Sequence, residues 1–394
     1  MEEFNTAIIG GGAAGIVAAI SAANHGDSII VLEKTPNLGK KILSTGNGRC
    51  NLLNDDLDPG HYNLGSRGLV DSVFKKFGRV EILGFFQKLG LATYSQEGRV
   101  FPRTNQAASV LRVLELELKR LSVPVRFIFD CNSIIPSTNG FTLSSKNADI
   151  VKSKKVIVTG GGRTYPSFGS DGSVYGLARQ LGHSIVEPVP VVVPLVVKDA
   201  LCHQLQGQKI FAAARPVING EIGDEIQGEL LFTKYGLSGT CILDVSEAIS
   251  IAIARQGKTQ VLVAVDMVPF MSENALRAEL ESRWNKAPDA SDVLVGILPN
   301  KFGPAFHGMF DHGIEAAVKS LKHRLFRVTA TRGWNEAEFT AGGVPVDELI
   351  EATLESKLHK GLFFAGEVLD VNGQRGGYNL AWAWASGWVA GSAS

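Results

Sequence analysis

Cysteine is scarce in this chain, and its scarcity narrows the chemistry. The four cysteines, Cys50, Cys131, Cys202 and Cys241, stand far apart, and no CxxC occurs among the 394 residues. That argues against a disulfide framework and a zinc site, and makes a reducing compartment the expectation. The eight histidines show no metal-ligand spacing either, so no metal is expected. An excess of one charge is also missing: 39 basic residues face 39 acidic ones. A nucleic-acid binder usually carries basic residues in excess to neutralise phosphates, so a small-molecule partner is expected and a nucleic acid is not. No uninterrupted apolar run of about 18 residues exists, which argues against a membrane span. SIVEPVPVVVPLVV comes nearest, and its prolines and Glu187 read as strand and linker. The opening MEEFNTAIIGGG is acidic and runs straight into a strand, unlike a signal peptide. A soluble cytoplasmic protein is the resulting expectation; its oligomeric state stays open.

Glycine, by contrast, is abundant: 44 residues, about 11% against a usual level of about 7%. The excess suits a fold whose backbone approaches a ligand closely. Residues 4–9 read as a buried strand, GGGAAGIVAAISAANHG as a turn and helix, and SIIVLE (28–33) as a second strand, which together make a βαβ unit. VFKKFG and VEILGFFQKLG look helical, and LATYSQEGRVFP reads as a hairpin around Glu97 and Gly98. Asn105 is placed to cap the next helix, where Leu111, Leu114, Leu118 and Leu121 share one face. VRFIFD, FTLSSK and DIVKSKKVIVTGG add strands, with a turn at Asn139 and Gly140, and GSVYGLARQLG opens another helix.

After Pro188 the character changes. PLVVKD, AAARPVI, GELLFTKYG, TCILDVS and QVLVAVDMV read as short β-runs of a barrel or sandwich. NALRAELESRW, SDVLVGILP and GIEAAVKSLKHRL read as helices, and RLFRVTATRGW as a β return. The expected fold is therefore α/β: a Rossmann-like two-part nucleotide-binding domain (1–190 and 331–394) with an inserted β-barrel-like domain. That insert (191–270 and 323–330) itself carries a helical subdomain (271–322).

The site motifs follow from this order. Gly10-x-Gly12-x-x-Gly15 lies between a strand and a helix, with Ala13 and Ala14 at the helix start. Gly10 permits the tight turn, Gly12 lets pyrophosphate approach, and Gly15 lets helix and strand pack, while the helix N-terminus draws the anion. Glu33, beside Lys34, ends the second strand and can accept both ribose hydroxyls of an adenosine. Near the other end of the sequence, the strand LFFA (362–365) runs into Gly366 and Glu367. It is followed by Gly376, Gly377 and a helix opening with Tyr378, Asn379 and Leu380. A second helix N-terminus in one site can stabilise charge on the N1–C2=O edge of a flavin, which a nicotinamide does not need. FAD is thus the expected cofactor. Thr159, Gly160 and Gly161 suit a sharp return beside it, and its adenine is expected near the backbone of residues 130–133.

STGNGRCN (44–51) sets Cys50 beside Arg49 in a loop. As a metal ligand Cys50 lacks partners, and as a nucleophile it has no histidine near in sequence. The preferred reading is a cofactor loop: Gly46 and Gly48 free backbone N–H groups, and Lys40, Lys41 and Arg49 supply positive charge. The lysines read alternatively as a solvated face. Tyr235 and Tyr378 read as substrate-side groups or as packing, and each histidine as a surface or structural residue.

LGKKILSTGNGRCNLLN (38–54), GRVFP (98–102), GELLFTKYGLSG (228–239), EFTAGGVPVDEL (338–349) and GEVLDVNGQRGGYNLAWAWASGWVAG (366–391) together resemble one family. It is the bacterial three-domain flavoproteins, whose assigned members include an aminoacetone oxidase and a bile-acid-pathway flavin reductase. The resemblance spans nearly the whole chain. It implies bound FAD, an FAD domain formed by both ends of the sequence, and FAD contacts at Ala14, Glu33, Lys40, Lys41, Asn51, Glu367 and Asn379. Two departures stand out: Asn47 where a glycine-like residue is expected, and the added charge of Gln374 and Arg375.

The functional expectation is an FAD-dependent oxidoreductase that moves a hydride between a small organic substrate and flavin N5, with an amine oxidase as one form. A reductase of an enone or enoyl substrate, fed transiently by NAD(P)H, is the alternative; an oxidase would return electrons to oxygen. An RNA-modifying flavoprotein and a non-enzymatic FAD-binding scaffold are the rivals from other classes. No general base is assigned.

Overall fold

The computed structural model describes residues 3–287 and 289–394. Met1 and Glu2 of the acidic opening and Pro288 of the expected helical stretch lie outside the described residues. The chain divides into two compact units, Met1–Pro188 with Phe339–Ser394, and Val189–Glu338.

The first unit is built on a mixed sheet with a parallel centre. The strand Glu3–Ile9 pairs on one side with Ile29–Leu32 and on the other with Ile150–Val158, both in parallel. Leu362–Phe364, from the far end of the sequence, adds in parallel to Ile150–Val158. Parallel strands covered on both faces read as continuous apolar runs, which is how IIVL and LFF read. The expected VRFIFD strand shortens to Val125–Arg126, because Ile128 adopts a left-handed φ of 58° that breaks the ladder. The hairpins stand as expected, Thr93–Gln96 with Arg99–Pro102 and Cys131–Ser137 with Gly140–Ser145. Asn105 does not cap the helix Ala107–Arg120. The N-cap is Gln106, while Asn105 turns left-handed and accepts from the Tyr94 hydroxyl at 2.6 Å.

Two helices cover one face together. The opening helix Ala13–Asn24 lies against the closing helix Tyr378–Ala393 at backbone distance. A Cβ on Gly387 would stand 2.3 Å from the Ala14 carbonyl oxygen, and one on Gly391 2.4 Å from that of Ala18. Two glycines four apart share one helix face, so together they form the groove. Trp382 and Trp384 of the same helix are fully buried.

A buried histidine ties the rim of this sheet. His183 Nδ1 lies 2.5 Å from Glu348 Oε2 and its Nε2 2.8 Å from Ser356 Oγ. Burial holds the His183 imidazole below its ordinary 6.5, outweighing the pull of Glu348. Burial pushes Glu348 up, yet hydrogen bonds from Ser184 and His183 bring it below its ordinary 4.5. Both folded values are depressed, so both contributions are present above the unfolded values and fade as pH falls. The midpoint of thermal unfolding should therefore drop on acidification below about 6.5 and continue dropping below about 4.5. A His183→Gln protein should lose the upper part of that slope in calorimetry, and an unchanged slope would refute the assignment.

The second unit is a closed antiparallel barrel. Its six strands run in the order Lys209–Ile218, Ile226–Thr233, Gly236–Ser238, Leu195–Val197, Arg324–Thr331 and Val261–Asp266, and the last pairs back to the first. Closure depends on the ten-residue strand. Its first half pairs with Ile226–Thr233 from Lys209 to Ala214, and its second half with Val261–Asp266 from Ala213 to Ile218. A closed ring leaves no edge to be blunted. TCILDVS is not a strand but the start of the helix Thr240–Ala254. Cys241, Ile242, Val245 and Ile249 fall on one buried helical face, a period the seven-residue window is too short to reveal. SDVLVGILP likewise forms a short 3-10 turn at Ala290–Asp292 rather than a helix, with Gly296 left-handed and Pro299 following. Further helices among the described residues are Ala200–Gln204, Glu273–Trp284, Phe302–Phe310 and Ile314–Lys322.

Candidate functional site

The first unit contains a cleft of about 1260 Å³, open mouth included, at the ends of its parallel strands. Ligands in open α/β sheets bind at such strand ends. Gly10, Gly12, Ala13 and Ala14 line it, and each glycine of the turn has a separate reason to be glycine. Gly10 has φ 100°, and a Cβ there would stand 2.7 Å from the Thr159 oxygen. A Cβ on Gly15, outside the lining, would overlap the Gly10 oxygen at 1.9 Å. Gly12 differs: its φ is an ordinary −83° and its Cβ would meet nothing within 4 Å. The chain itself gives no reason for glycine there; an anion drawn to the helix N-terminus does.

Glu33 is 8% exposed at the cleft wall. Its Oε2 accepts from the Gly11 N–H at 2.8 Å and its Oε1 from the Thr35 N–H at 2.7 Å. Each oxygen keeps a free lone pair, the complement of a vicinal diol. Gly11 and Thr35 went unnoticed in the sequence, although both flank marked residues. Lys34 lines the cleft too, but its charge is met by Asp171 at 2.7 Å. Burial pushes the Asp171 carboxyl up, and Lys34 and Ser173 overcome this and bring it to about 2.

Thr159, Gly160 and Gly161 form the neighbouring wall. The Thr159 hydroxyl donates to the Ile9 oxygen at 2.8 Å, closing the return against the first strand. Phe129, Asp130 and Cys131 line the cleft as well, at the start of the stretch expected beside adenine. Ser170 Oγ, at the cleft, is buried without a hydrogen-bond partner among the described residues.

The loop after the second strand sends Lys40, Lys41 and Thr45 into the lining, whereas Gly46, Gly48, Arg49, Cys50 and Asn51 stand outside it. Lys41 Nζ lies 2.5 Å from Thr164 Oγ1 and 2.6 Å from Glu367 Oε2. Among the described residues Lys40 has no ion-pair partner. Gly46 and Asn47 are both left-handed, at φ 57° and 55°. Asparagine tolerates that region, so Asn47 holds the conformation a glycine would. Arg49 is exposed, its guanidinium 4.5 Å above the Phe101 ring. Cys50 is fully buried, and burial pushes its thiol up to about 12 despite a hydrogen bond from Thr45. A thiol so placed stays protonated and is a poor nucleophile. Asn51 Oδ1 is buried and unpartnered among the described residues, 2.9 Å from where a Gly377 Cβ would be.

Gly366, Glu367, Asn379 and Leu380 complete the cleft, while Gly376, Gly377 and Tyr378 sit just beyond its lining. Glu367 Oε1 accepts from the Thr340 N–H at 2.9 Å. Asn379 clamps the glycine loop: its Nδ2 donates to the Gly373 oxygen at 2.7 Å and its Oδ1 accepts from the Gly373 N–H at 2.9 Å. Gly376 and Gly377 hold φ 132° and 105°, and Gly377 caps the closing helix. Tyr378 stacks on His61 with ring centroids 4.5 Å apart. In the second unit, Tyr235 carries the Arg332 guanidinium 4.5 Å over its ring.

The profile of the HI0933-like protein Rossmann domain matches residues 4–393. The chain belongs to that family. It is an FAD-dependent oxidoreductase, and the cofactor is FAD. It is 38% identical, over 98% of both chains, to a 3-dehydro-bile acid delta(4,6)-reductase of Clostridium scindens. It is 29% identical to the ribosomal RNA dihydrouridine synthase of Escherichia coli, over 99% of this chain and 97% of that one. Its fold is similar to that of 3-ketosteroid delta1-dehydrogenase from Sterolibacterium denitrificans, with a TM-score of 0.51, 11% identity and 99% of both chains covered. The open side of Gly12, the diol-matching carboxylate of Glu33 and the unpartnered Ser170 Oγ in the lining all fit the group. No helix of the described residues is long and apolar enough to cross a membrane.

Proposed function

We propose that this HI0933-like protein reduces a carbon–carbon double bond conjugated to a carbonyl in a small molecule, drawing on NAD(P)H. The observation that carries the reading is the similarity along both full chains to a bile-acid delta(4,6)-reductase. The dihydrouridine synthase relatives support the same reaction class, because the uracil double bond they are named for saturating is also conjugated to a carbonyl.

FAD supplies the two-electron chemistry, passing a hydride between nicotinamide and substrate. The chain's own work is to hold and orient. Glu33 would take the adenosine ribose, with its carboxylate already fixed by the Gly11 and Thr35 N–H groups. Gly12 and the opening helix would take the pyrophosphate, with Lys40 as nearby positive charge. Lys41 and Glu367, paired at 2.6 Å, would orient the middle of the cofactor, and the Asn379-clamped loop its redox end.

The test is anaerobic bleaching of the bound flavin by NADH and NADPH, followed by addition of a 3-oxo-4,6-diene bile acid. Bleaching by a nicotinamide and recolouring by the diene are expected. Bleaching by amines alone would restore an amine oxidase, and no bleaching by either nicotinamide would defeat the reductase. A second reading, reduction of uracil within RNA, rests on the 29% identity to the synthase; balanced charge counts against it. Salt-dependent retention of ribosomal RNA in a gel shift would favour it.

A further inference from the structure

One short loop covers the end of the cleft that Glu33 marks. It leaves the wall formed by Thr159, Gly160 and Gly161, and it returns at Gly172, whose N–H donates to the Gly162 oxygen at 3.1 Å. Compact loops with joined ends are packed by their own side chains and frequently carry function. Here Tyr165, left-handed at φ 56°, stacks on Phe168 with ring centroids 5.4 Å apart. The Phe168 N–H donates to the Tyr165 oxygen at 2.8 Å, and the Gly169 N–H to the Pro166 oxygen at 3.0 Å. The loop is a preformed unit rather than a slack connection.

Phe168, Gly169 and Ser170 line the cleft. Gly169 rests on the residues that follow Glu33: a Cβ there would stand 2.8 Å from Thr35 Cγ2 and 3.3 Å from Lys34 Cε. Thr35 is also the residue whose N–H fixes Glu33 Oε1, so the loop lies against the carboxylate that matches the ribose. An ion pair fastens it there. Lys34 Nζ is 2.7 Å from Asp171 Oδ1 and 3.2 Å from Ser173 Oγ, and Asp171 Oδ1 also accepts from the Ser173 N–H at 3.0 Å. Asp171 itself stands outside the lining, its side chain half exposed.

Ser170 has no such engagement. The residue is 8% exposed, and its Oγ is buried without a hydrogen-bond partner among the described residues. That oxygen would stand 3.1 Å from a Cβ on Gly161, which lines the cleft as well. A buried polar group left unpartnered bears its full desolvation cost, and a polar ligand in the cleft would remove it. A hydroxyl both donates and accepts, so it suits the ring nitrogens and the amine of adenine alike.

We propose that the Ser170 hydroxyl is a further contact to the adenosine half of FAD. The loop from Gly162 to Gly172 is then a strap that lifts for FAD to pass, with Lys34 and Asp171 as its latch. The two roles separate in kinetics. A contact made only in the bound state slows release and leaves entry alone. A latch shut in both the free and the loaded protein slows entry and release alike, and leaves the dissociation constant unchanged. Neither role depends on which substrate the flavin serves.

Release is followed on the FAD-loaded protein by the return of flavin fluorescence on dilution, and entry by stopped-flow mixing of FAD with deflavinated protein. In Asp171→Asn the amide still accepts from the Ser173 N–H, and only the charge is lost. Entry and release should both quicken by about two- to fivefold, with Kd held within about twofold. Adding Lys34→Met should quicken neither further, because one shared bond is lost only once. Entry at the unsubstituted rate in Asp171→Asn would overturn the latch, as would a Kd that rises in step with release.

In Ser170→Ala, entry should be unchanged, and Kd for FAD and for ADP alike should rise by about three- to tenfold. FMN, which lacks the adenosine, should bind as before. The thermal midpoint of the deflavinated variant should not fall, because the lost hydroxyl holds no bond within the chain. ADP bound as tightly as by the unsubstituted protein would overturn the contact, and so would a lowered midpoint in deflavinated Ser170→Ala. Unchanged release from loaded Asp171→Asn and loaded Ser170→Ala would overturn both parts without any deflavinated protein.

Discussion

Replacing Glu33 by alanine should leave a folded protein that purifies with little or no yellow colour. The carboxylate is 8% exposed and held by two backbone N–H groups, so it is fixed before any ligand arrives. A hydrogen bond to a charged group is worth roughly 1.5–3 kcal/mol, and the ribose diol would make two. Losing both corresponds to at least about a 100-fold rise in the dissociation constant for FAD. Glu33→Gln, which keeps one acceptor oxygen, should fall between. Fluorescence titration of the deflavinated proteins measures each constant, and heat-released flavin identified as FAD rather than FMN checks the cofactor. Unchanged occupancy in Glu33→Ala would show that the ribose lies elsewhere.

Gly387→Val should be strongly damaging although the residue lies outside the cleft. The new Cβ would sit 2.3 Å from the Ala14 oxygen and 3.0 Å from its Cα, both backbone atoms of a packed helix. No side chain can swing aside, so the two helices must part. Overpacking of this kind costs about 3 kcal/mol or more, which lowers the thermal midpoint by roughly 6–12 °C in a domain of this size. Ala14 also lines the cleft, so FAD retention should fall with stability. Gly12→Ala is the matched control for folding: its Cβ meets nothing, and its thermal midpoint should not move when the deflavinated proteins are compared. An unshifted midpoint in Gly387→Val would mean that the helices are not in backbone contact.

The parts of this molecule that could be read from residues alone are those whose cause is local. The Gly10 turn, the acidic end of the second strand and the glycine-capped closing helix each follow from a few consecutive residues, and all stand where expected. The failures have local causes as well. TCILDVS is β-like within seven residues, and only its continuation through Ile249 reveals a helical face. VRFIFD has strand composition but turns left-handed at Ile128. What no local reading could reach is pairing across the chain. Lys41 meets Glu367 across 326 positions and Thr164 across 123, and His61 meets Tyr378 only because the glycine loop folds back on residues 61–63. The question raised by Cys50 resolves through burial. Its thiol lies in the core, and the residues around it shape a loop whose conformation matters more than its sulfur.

The placement of Leu362–Phe364 beside Ile150–Val158 has a consequence for synthesis. A ribosome must add about 200 further residues after Val158 before that partner emerges, which at 5–20 residues per second takes roughly 10–40 s. Through that interval the nascent glycine turn and Glu33 lack the opposite wall of the cleft, which Gly366, Glu367 and Asn379 provide. Cofactor loading is thus deferred until residues 362–380 have been made, and a product cut short before the closing helix would emerge colourless. Flavin colour therefore reports synthesis of the closing helix as well as folding.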